Sequence, residues 1–483
     1  MKKTNDYDWL GVHGANVSNE LEGYCEKEAN ALRDKILSAA NTEELYEIKG
    51  TKYYISAHGN DENDGLSPLT PFASFDMLKN ISLKEGDAVL LERNSIFRIS
   101  DTIETEVNGL TFGTYGKGEK PRIYACPCDY ADAGLWEKTD KPNVWRTVFK
   151  TAKGRKLGAC GMFFNHGKEI GALRFKGIDD LHTNLDFYSI KVPNENTGEV
   201  LLYFDKGNPG EYYKSIEILP ERLHIFFLKG SKDYVIDNLC LKYTGGFPIL
   251  VSGKNVTITN CEIGCCGGLF QPNTRFGNGI EMSGKVIDVV VKNNWFYQVF
   301  DSALTWQGGT TAEAQYINID FSENLFEYNN ADVEFFAHGE AVVDNIRISK
   351  NIMRFTCAGW GTDSRTGVSQ SGNWIRWIEG CISATTYKLN DFGRIEVSDN
   401  IMDCPAGWII RWTMPPKHIH KHIAFGNKVY VKKSYRITDV GVVGFSREGE
   451  IRAVMPSCAT EEEMLAVIRE RFDKTVELHW YDE

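Results

Sequence analysis

The sequence predicts an all-β chain whose main body is a right-handed parallel β-helix, a solenoid of stacked strand-turn coils. Three observations predict it. A β strand followed by Asn recurs: VIDNLCLKY at Asn238, VTITNCEIG at Asn260, VVVKNNWFY at Asn294, IDFSENLFEY at Asn324, IRISKNIMRF at Asn351 and IEVSDNIMDC at Asn400. A second short strand closing on Gly falls between these units, in FPILVSG, NGIEMSG, SALTWQGG and VEFFAHG. The intervals between the Asn residues are 22, 34, 30, 27 and 49 residues, too short and uneven for propeller blades, which need about 40–45 residues each. One such coil cannot bury its own apolar face, whereas stacked coils pair their strands in parallel and bury Val, Ile and Leu between rungs. The recurrent Asn suits a left-handed turn and a side-chain ladder from coil to coil, and Gly suits a corner with positive φ. Asn260, Asn294, Asn324 and Asn351 are therefore expected in one column.

The elements follow in order. Residues 1–50 form an N-terminal helical cap, because Leu21, Tyr24, Ala29, Leu32, Ile36 and Leu37 recur at helical spacing over one open end. Residues 51–126 turn to β composition and make the first coils. Residues 127–221 alternate strands with hairpin signals such as NPG and PNENTGE, which predicts an inserted antiparallel, sandwich-like β subdomain. Residues 222–440 are the main β-helix. Residues 441–483 close it with a helix in CATEEEMLAVIRERF, with Thr460 as N-cap and Glu463 completing a capping box.

Composition narrows the partners. The chain has 483 residues and a net charge of −12, which argues against nucleic acid but not against neutral sugars. No 18-residue apolar run predicts a membrane helix, and no apolar segment follows the two N-terminal Lys as in a signal peptide, so a cytoplasmic protein is expected. Twelve Cys lack the paired spacing of a zinc site and read as buried thiols. No cofactor or metal is called for. DENDG at 61–65 resembles a calcium loop, but its twelfth position is Phe72 rather than Glu, and HIHKH at 418–422 reads as a solvated turn. A homo-oligomer remains open.

Aligning the second strands on Gly253, Gly284, Gly308 and Gly339 puts Glu281 level with Leu250 and Thr305. Glu334 falls two residues earlier and Asp301 two earlier again, so all three carboxylates share one face. Paired carboxylates are what glycoside hydrolysis needs. Asp301 and Glu334 are the first pair, with Glu334 as proton donor between apolar neighbours, Asp301 as nucleophile or base, and Glu281 as third member. Arg275, Asn278, Trp306, Gln307 and His338 belong to the same rungs as substrate contacts. Trp360, Asp363, Arg365, Trp374, Arg376, Arg411 and Trp412 extend the set, the Trp rings to stack on sugars and the Arg side chains to bind carboxylates.

The segment YYISAHGNDENDGLSPLTPFASFDML at 53–78 resembles the N-terminal opening of many bacterial parallel β-helix proteins. LKEGDAVLLERNSIFR with GLTFGTYGKGEKPRI resembles their first coil, and NGIEM with YQVFDSALTWQ their central coils. Together these resemble the pectate-lyase-like superfamily of carbohydrate-active enzymes. With the inserted β subdomain, the architecture is similar to glycoside hydrolase families 120 and 141. The resemblance implies a hydrolase of oligosaccharides, plant-derived ones among them. The alternatives are a polysaccharide lyase for uronate chains, suggested by the four Arg residues, and a non-catalytic carbohydrate-binding β-helix.

Overall fold

The computed structural model describes residues 21–150, 158–191, 197–221, 224–271, 274–364, 379–385, 389, 392–413, 422–432, 443–446, 453–454 and 460–481. Successive coils each give one strand to each of three faces. The coil Trp295–Val299, Ser302–Gln307 and Gln315–Ser322 shows the pattern. On the first face Ile280–Ser283, Ser302–Gln307, Ala331–Phe336, Gly380–Thr385 and Trp408–Thr413 pair in parallel, each with the next. The second face runs from Lys285–Lys292 through Gln315–Ser322, Val342–Ser349 and Ile395–Ser398 to His422–Phe425. The third runs from Glu262–Cys266 to Glu477–Tyr481. This is a parallel β-helix, and the first two faces meet at corners held by Gly284 and Gly308, whose φ of 78° and 85° a side chain would strain.

Alternation fixes which residues point inward. On the first face Ile280, Leu304, Val333, Ile382 and Ile410 form one register column, all buried. Each such side chain contributes about 1.5–3 kcal/mol on burial. Their strand neighbours therefore face outward, which sets the candidate site.

An amide ladder runs along one corner. Asn294 Nδ2 donates to Asn324 Oδ1 at 3.1 Å, Asn324 to Asn351 at 3.1 Å, Asn351 to Asn400 at 2.9 Å and Asn400 to Asn427 at 3.0 Å. Asp473 ends it by accepting from Asn427 at 2.8 Å. Asn260 does not join the column. Cys261 holds that place and donates its backbone N–H to Asn294 Oδ1. Asn260 sits one residue earlier, with φ of 53°, level with Asn293, Glu323, Lys350 and Asp399, all of positive φ. The left-handed turn and the ladder are thus adjacent positions, and where NN occurs at 293–294 each Asn serves one of them.

Between Arg122–Tyr124 and Phe226–Asp237 the chain leaves the coils. A five-stranded sheet holds Val144–Lys150, Asp186–Lys191 and Thr197–Tyr203 in antiparallel array, and a three-stranded sheet centres on Ala159–Phe164. Met162, Phe164, Phe187, Val200, Ile216 and Ile218 pack into one buried cluster with them. Gly161 and Cys160 of this subdomain approach Trp360, Gly245 and Gly267, so it stands beside the turns that lead into the first face.

The helix Glu26–Leu37 corrects the expectation of an N-terminal cap. It lies along the third face instead. Cys25 N–H donates to Asp403, Arg33 pairs with Glu327 at 2.6 Å, and Lys35 bonds Asn293 and Glu323. The coils supply buried acids Glu327 and Asp403, with Arg354 between them, and the helix brings the balancing Arg33. At the other end, Glu461–Arg471 buries Met464 and Ile468 in the solenoid core, with Thr460 Oγ1 accepting from Glu463 N–H. Among the described residues no helix is long and apolar enough to cross a membrane. The eleven described Cys are free thiols, ten of them buried.

Candidate active site

The outward positions of the first face form a register column: Leu250, Glu281, Thr305, Glu334, Ser383, Arg411. Glu281 and Glu334 occupy the same column two rungs apart, roughly 9–10 Å along the axis at the usual rung spacing. This differs from the Gly-anchored alignment, which offset Glu334 by two residues. The corner after Phe336 carries two more residues, Ala337 and His338, before Gly339, whereas Gly308 directly follows Gln307. Alignment on inward residues gives the true register, because the core tolerates no slip.

The two carboxylates sit in different surroundings. Asn278 Nδ2 donates to Glu281 Oε2 at 2.8 Å. Burial pushes the Glu281 carboxyl up to about 7, and the charge of Glu334 adds to the rise while the Asn278 bond opposes it. Glu334 Oε2 accepts from Ser302 Oγ at 2.8 Å and Gln307 Nε2 at 3.0 Å. Asn278 also accepts from Ser302 N–H at 3.1 Å, so a single chain of polar contacts links the two acids. Asn278 is fully buried; it positions Glu281 and does not reach a substrate directly.

Further along the column, Arg411 forms a two-oxygen pair with Glu379 at 2.7 and 2.6 Å, and Ser383 Oγ donates to Glu379 at 2.6 Å. Glu379 raises the affinity of Arg411 for its proton, and Glu334 contributes in the same sense. Arg411 therefore meets the groove with its charge already balanced. Asp332, two residues before Glu334 on the same face, is fully buried, accepts from Asn329 at 3.1 Å and Thr356 at 2.5 Å, and is pushed up to about 7 by burial. Ser302, Ser383, Asp332 and Glu379 escaped the sequence analysis. Strand alternation alone would have found Asp332 beside Glu334; the other three depend on register.

The remaining expected residues divide between the edge of this site, where Asp301 adjoins Ser302, and the core. Asp301 lies in the turn before Ser302, only 2% exposed; its N–H donates to Gly277 O and its carbonyl accepts from Ala331 N–H. Trp306 alternates with Thr305 and Gln307, so it faces the core, stacked on Phe335 at 4.2 Å, and is no sugar platform. Arg275 is buried, donating to Cys160 O at 2.5 Å under the inserted subdomain, with its guanidinium 4.5 Å from Phe300; burial holds it down to about 10. Trp360 is likewise buried, donating from Nε1 to Gln298 O at 2.8 Å and packing on Phe163 and Phe300. Neither serves as a substrate contact. His338 sets its ring edge-on to Phe336 at the rim. Asp363 and Trp412 are placed by backbone only, in Trp360–Ser364 and Trp408–Thr413. Arg365, Trp374 and Arg376 lie outside the described residues. The DENDG loop is a structural turn: Asp61 accepts from Ala73 and Ser74 N–H, Asp64 from Leu66 N–H and Thr70.

No family model matches the chain. A lacto-N-biosidase of Bifidobacterium longum subsp. longum is 35% identical over 105 residues, which is 20% of this chain and 6% of that protein. The chain thus spans a small part of that relative's length. Among solved structures, a complex of XylC with xylose aligns at a TM-score of 0.49 and 11% identity, over 89% of this chain and 83% of that one. A GH136 lacto-N-biosidase from Eubacterium ramulus aligns at 0.41 and 13%, over 91% and 69%. A rhamnogalacturonan lyase aligns at 0.41 and 9%, over 80% and 75%.

Proposed function

We propose that the protein is a glycoside hydrolase acting on oligosaccharides with inversion, with Glu281 as general acid and Glu334 as general base. The observation that carries this is the in-register pair of outward glutamates, two rungs apart, held in contrasting environments. A carboxyl near pKa 7 is protonated at neutral pH and can protonate a leaving oxygen. Glu334, held by two hydrogen bonds, can in its ionised form activate water. The two-rung separation of roughly 9–10 Å lies at or just beyond the long end of the roughly 6.5–9.5 Å that leaves room for that water, well above the ~5 Å of a direct nucleophile. Asp301, in its buried turn, gives way to Glu281 in this assignment. The 105-residue similarity to a lacto-N-biosidase accords with a glycosidase.

A lyase for uronate chains needs free cationic groups along the groove. Arg275 is buried and Arg411 is committed to Glu379, so two of the four Arg residues behind that alternative are accounted for. The experiment is a turnover screen on aryl glycosides and oligosaccharides, followed by Glu281→Gln and Glu334→Gln. Each variant should lose at least about a hundredfold in turnover while keeping its fold. Product absorbing in the ultraviolet as an unsaturated sugar would decide for the lyase.

A further inference from the structure

The outward column does not stop at Leu250. Phe227 pairs with Leu250 on one side and with Glu104 on the other. The sequence along the groove is therefore Glu104, Phe227, Leu250, Glu281, Thr305, Glu334. Phe227 and Leu250 are partly exposed on this outward face, whereas their neighbours Phe226, Leu228, Ile249 and Val251 are buried in the core. Glu104 is exposed at the far end. Glu281 thus has two apolar rungs on one side and the polar Thr305 and Glu334 on the other.

This asymmetry has a chemical direction, and its use here rests on the hydrolase reading above. In an inverting displacement the acid stands at the leaving oxygen and the base stands across the anomeric carbon, with water between. The reacting sugar then lies between Glu281 and Glu334, over Thr305. The group that departs extends past Glu281, away from Glu334. The water oxygen bonds to the anomeric carbon as the glycosidic C–O bond breaks; the electron pair of that bond and the Glu281 proton go to the leaving oxygen, and Glu334 takes a proton from the attacking water.

We propose that Phe227 and Leu250 form the leaving-group subsite, and that the site selects an aglycone presenting a flat apolar face, of the aryl class. About 14 Å separate Glu104 from Glu281 at three rung spacings, which is room for one or two rings. Stacking on an aromatic face and covering Leu250 removes apolar area from water on both partners. Glu104 at the end of this platform repels a carboxylate there, so uronates are disfavoured as leaving groups.

The test uses the full chain carrying Glu334→Gln, which lacks the base that activates water and so holds substrate without turning it over, and a panel of 4-nitrophenyl glycosides as probes. Saturation-transfer NMR reads which ligand protons touch the protein. Aryl protons should receive saturation at least as strongly as sugar protons, and Phe227→Thr with Leu250→Thr should remove the aryl signal. Thr already occupies this column at Thr305 and suits a strand, so the fold should survive. A milder single variant, Leu250→Thr, should weaken the aryl signal in part. Aryl signal that is missing from the first protein, or that persists unchanged in the double variant, overturns the proposal. Turnover is read separately on the wild-type chain: aryl contact without nitrophenol release keeps the platform and refutes the hydrolase reading. With a wild type that turns over, the double variant should lose 10–100-fold in kcat/KM on the aryl glycoside and stay within about twofold on the matching glycosyl fluoride, whose leaving group is too small to reach Phe227. Equal loss on both substrates counts against it.

Discussion

Replacing Glu281 by Gln should change how stability depends on pH, and the structure sets the size of the effect. The carboxyl rises from 4.5 to about 7 in the folded state because burial disfavours its charge. A raised carboxyl costs nothing below its unfolded pKa, where both states are protonated. The cost grows from pH 4.5 upward, as the unfolded chain ionises and the folded one does not, and is complete above pH 7. Linkage at about 1.36 kcal/mol per unit gives a loss of about 2–2.5 kcal/mol between pH 5 and pH 8 from this one group. Gln keeps the shape and a carbonyl oxygen for Asn278 but cannot ionise. Urea unfolding followed by Trp fluorescence at pH 5 and pH 8 reads the difference. The variant should gain about 2 kcal/mol on the wild type at pH 8 relative to its standing at pH 5. A stability difference between the two proteins that is the same at both pH values would refute the reasoning, because Glu281 would then ionise normally and could not serve as a proton donor at neutral pH.

Further outcomes follow from the same geometry. Asn351→Ala removes both ends of a buried ladder link, leaving Asn324 donors and Asn400 Oδ1 short of partners, and should cost about 3–5 kcal/mol in urea unfolding. Asp332→Asn should stabilise the protein at pH 8 and much less at pH 5, since its carboxyl is also held near 7 by burial; differential scanning calorimetry at the two pH values checks this. Arg411→Met strands the buried Glu379 carboxylate and should cost about 3–5 kcal/mol at neutral pH, measured by thermal unfolding. In the active enzyme, kcat/KM should fall above about pH 7 as Glu281 deprotonates, and Glu281→Gln should abolish that limb in any residual activity on a substrate with a good leaving group.

Much of this architecture is written in the chain as periodicity. Alternating apolar residues around Asn294, Asn324, Asn351 and Asn400 locate the coils because only stacking buries them. What periodicity does not carry is register between coils whose corners differ in length. Gly308 and Gly339 look equivalent but close corners of unequal length, and anchoring on them displaced Glu334 from the column it shares with Glu281. The same blindness put Asn260 into the ladder that Cys261 occupies. Trp306 shows the converse: its neighbours Thr305 and Gln307 face the groove, so alternation already placed it in the core. Arg275, Trp360 and Arg411 depended on partners far along the chain, Cys160, Gln298 and Glu379, and no local pattern announces such contacts.

The most direct test of the account is the anomeric configuration of the first product. A glycoside identified in the turnover screen is hydrolysed in the NMR tube, and the anomeric proton of the released sugar is followed before mutarotation sets in. Glutamates two rungs apart with a water between them predict the anomer opposite to that of the substrate. Release of the same anomer would contradict the account, for it requires a carboxylate close enough to attack the sugar itself.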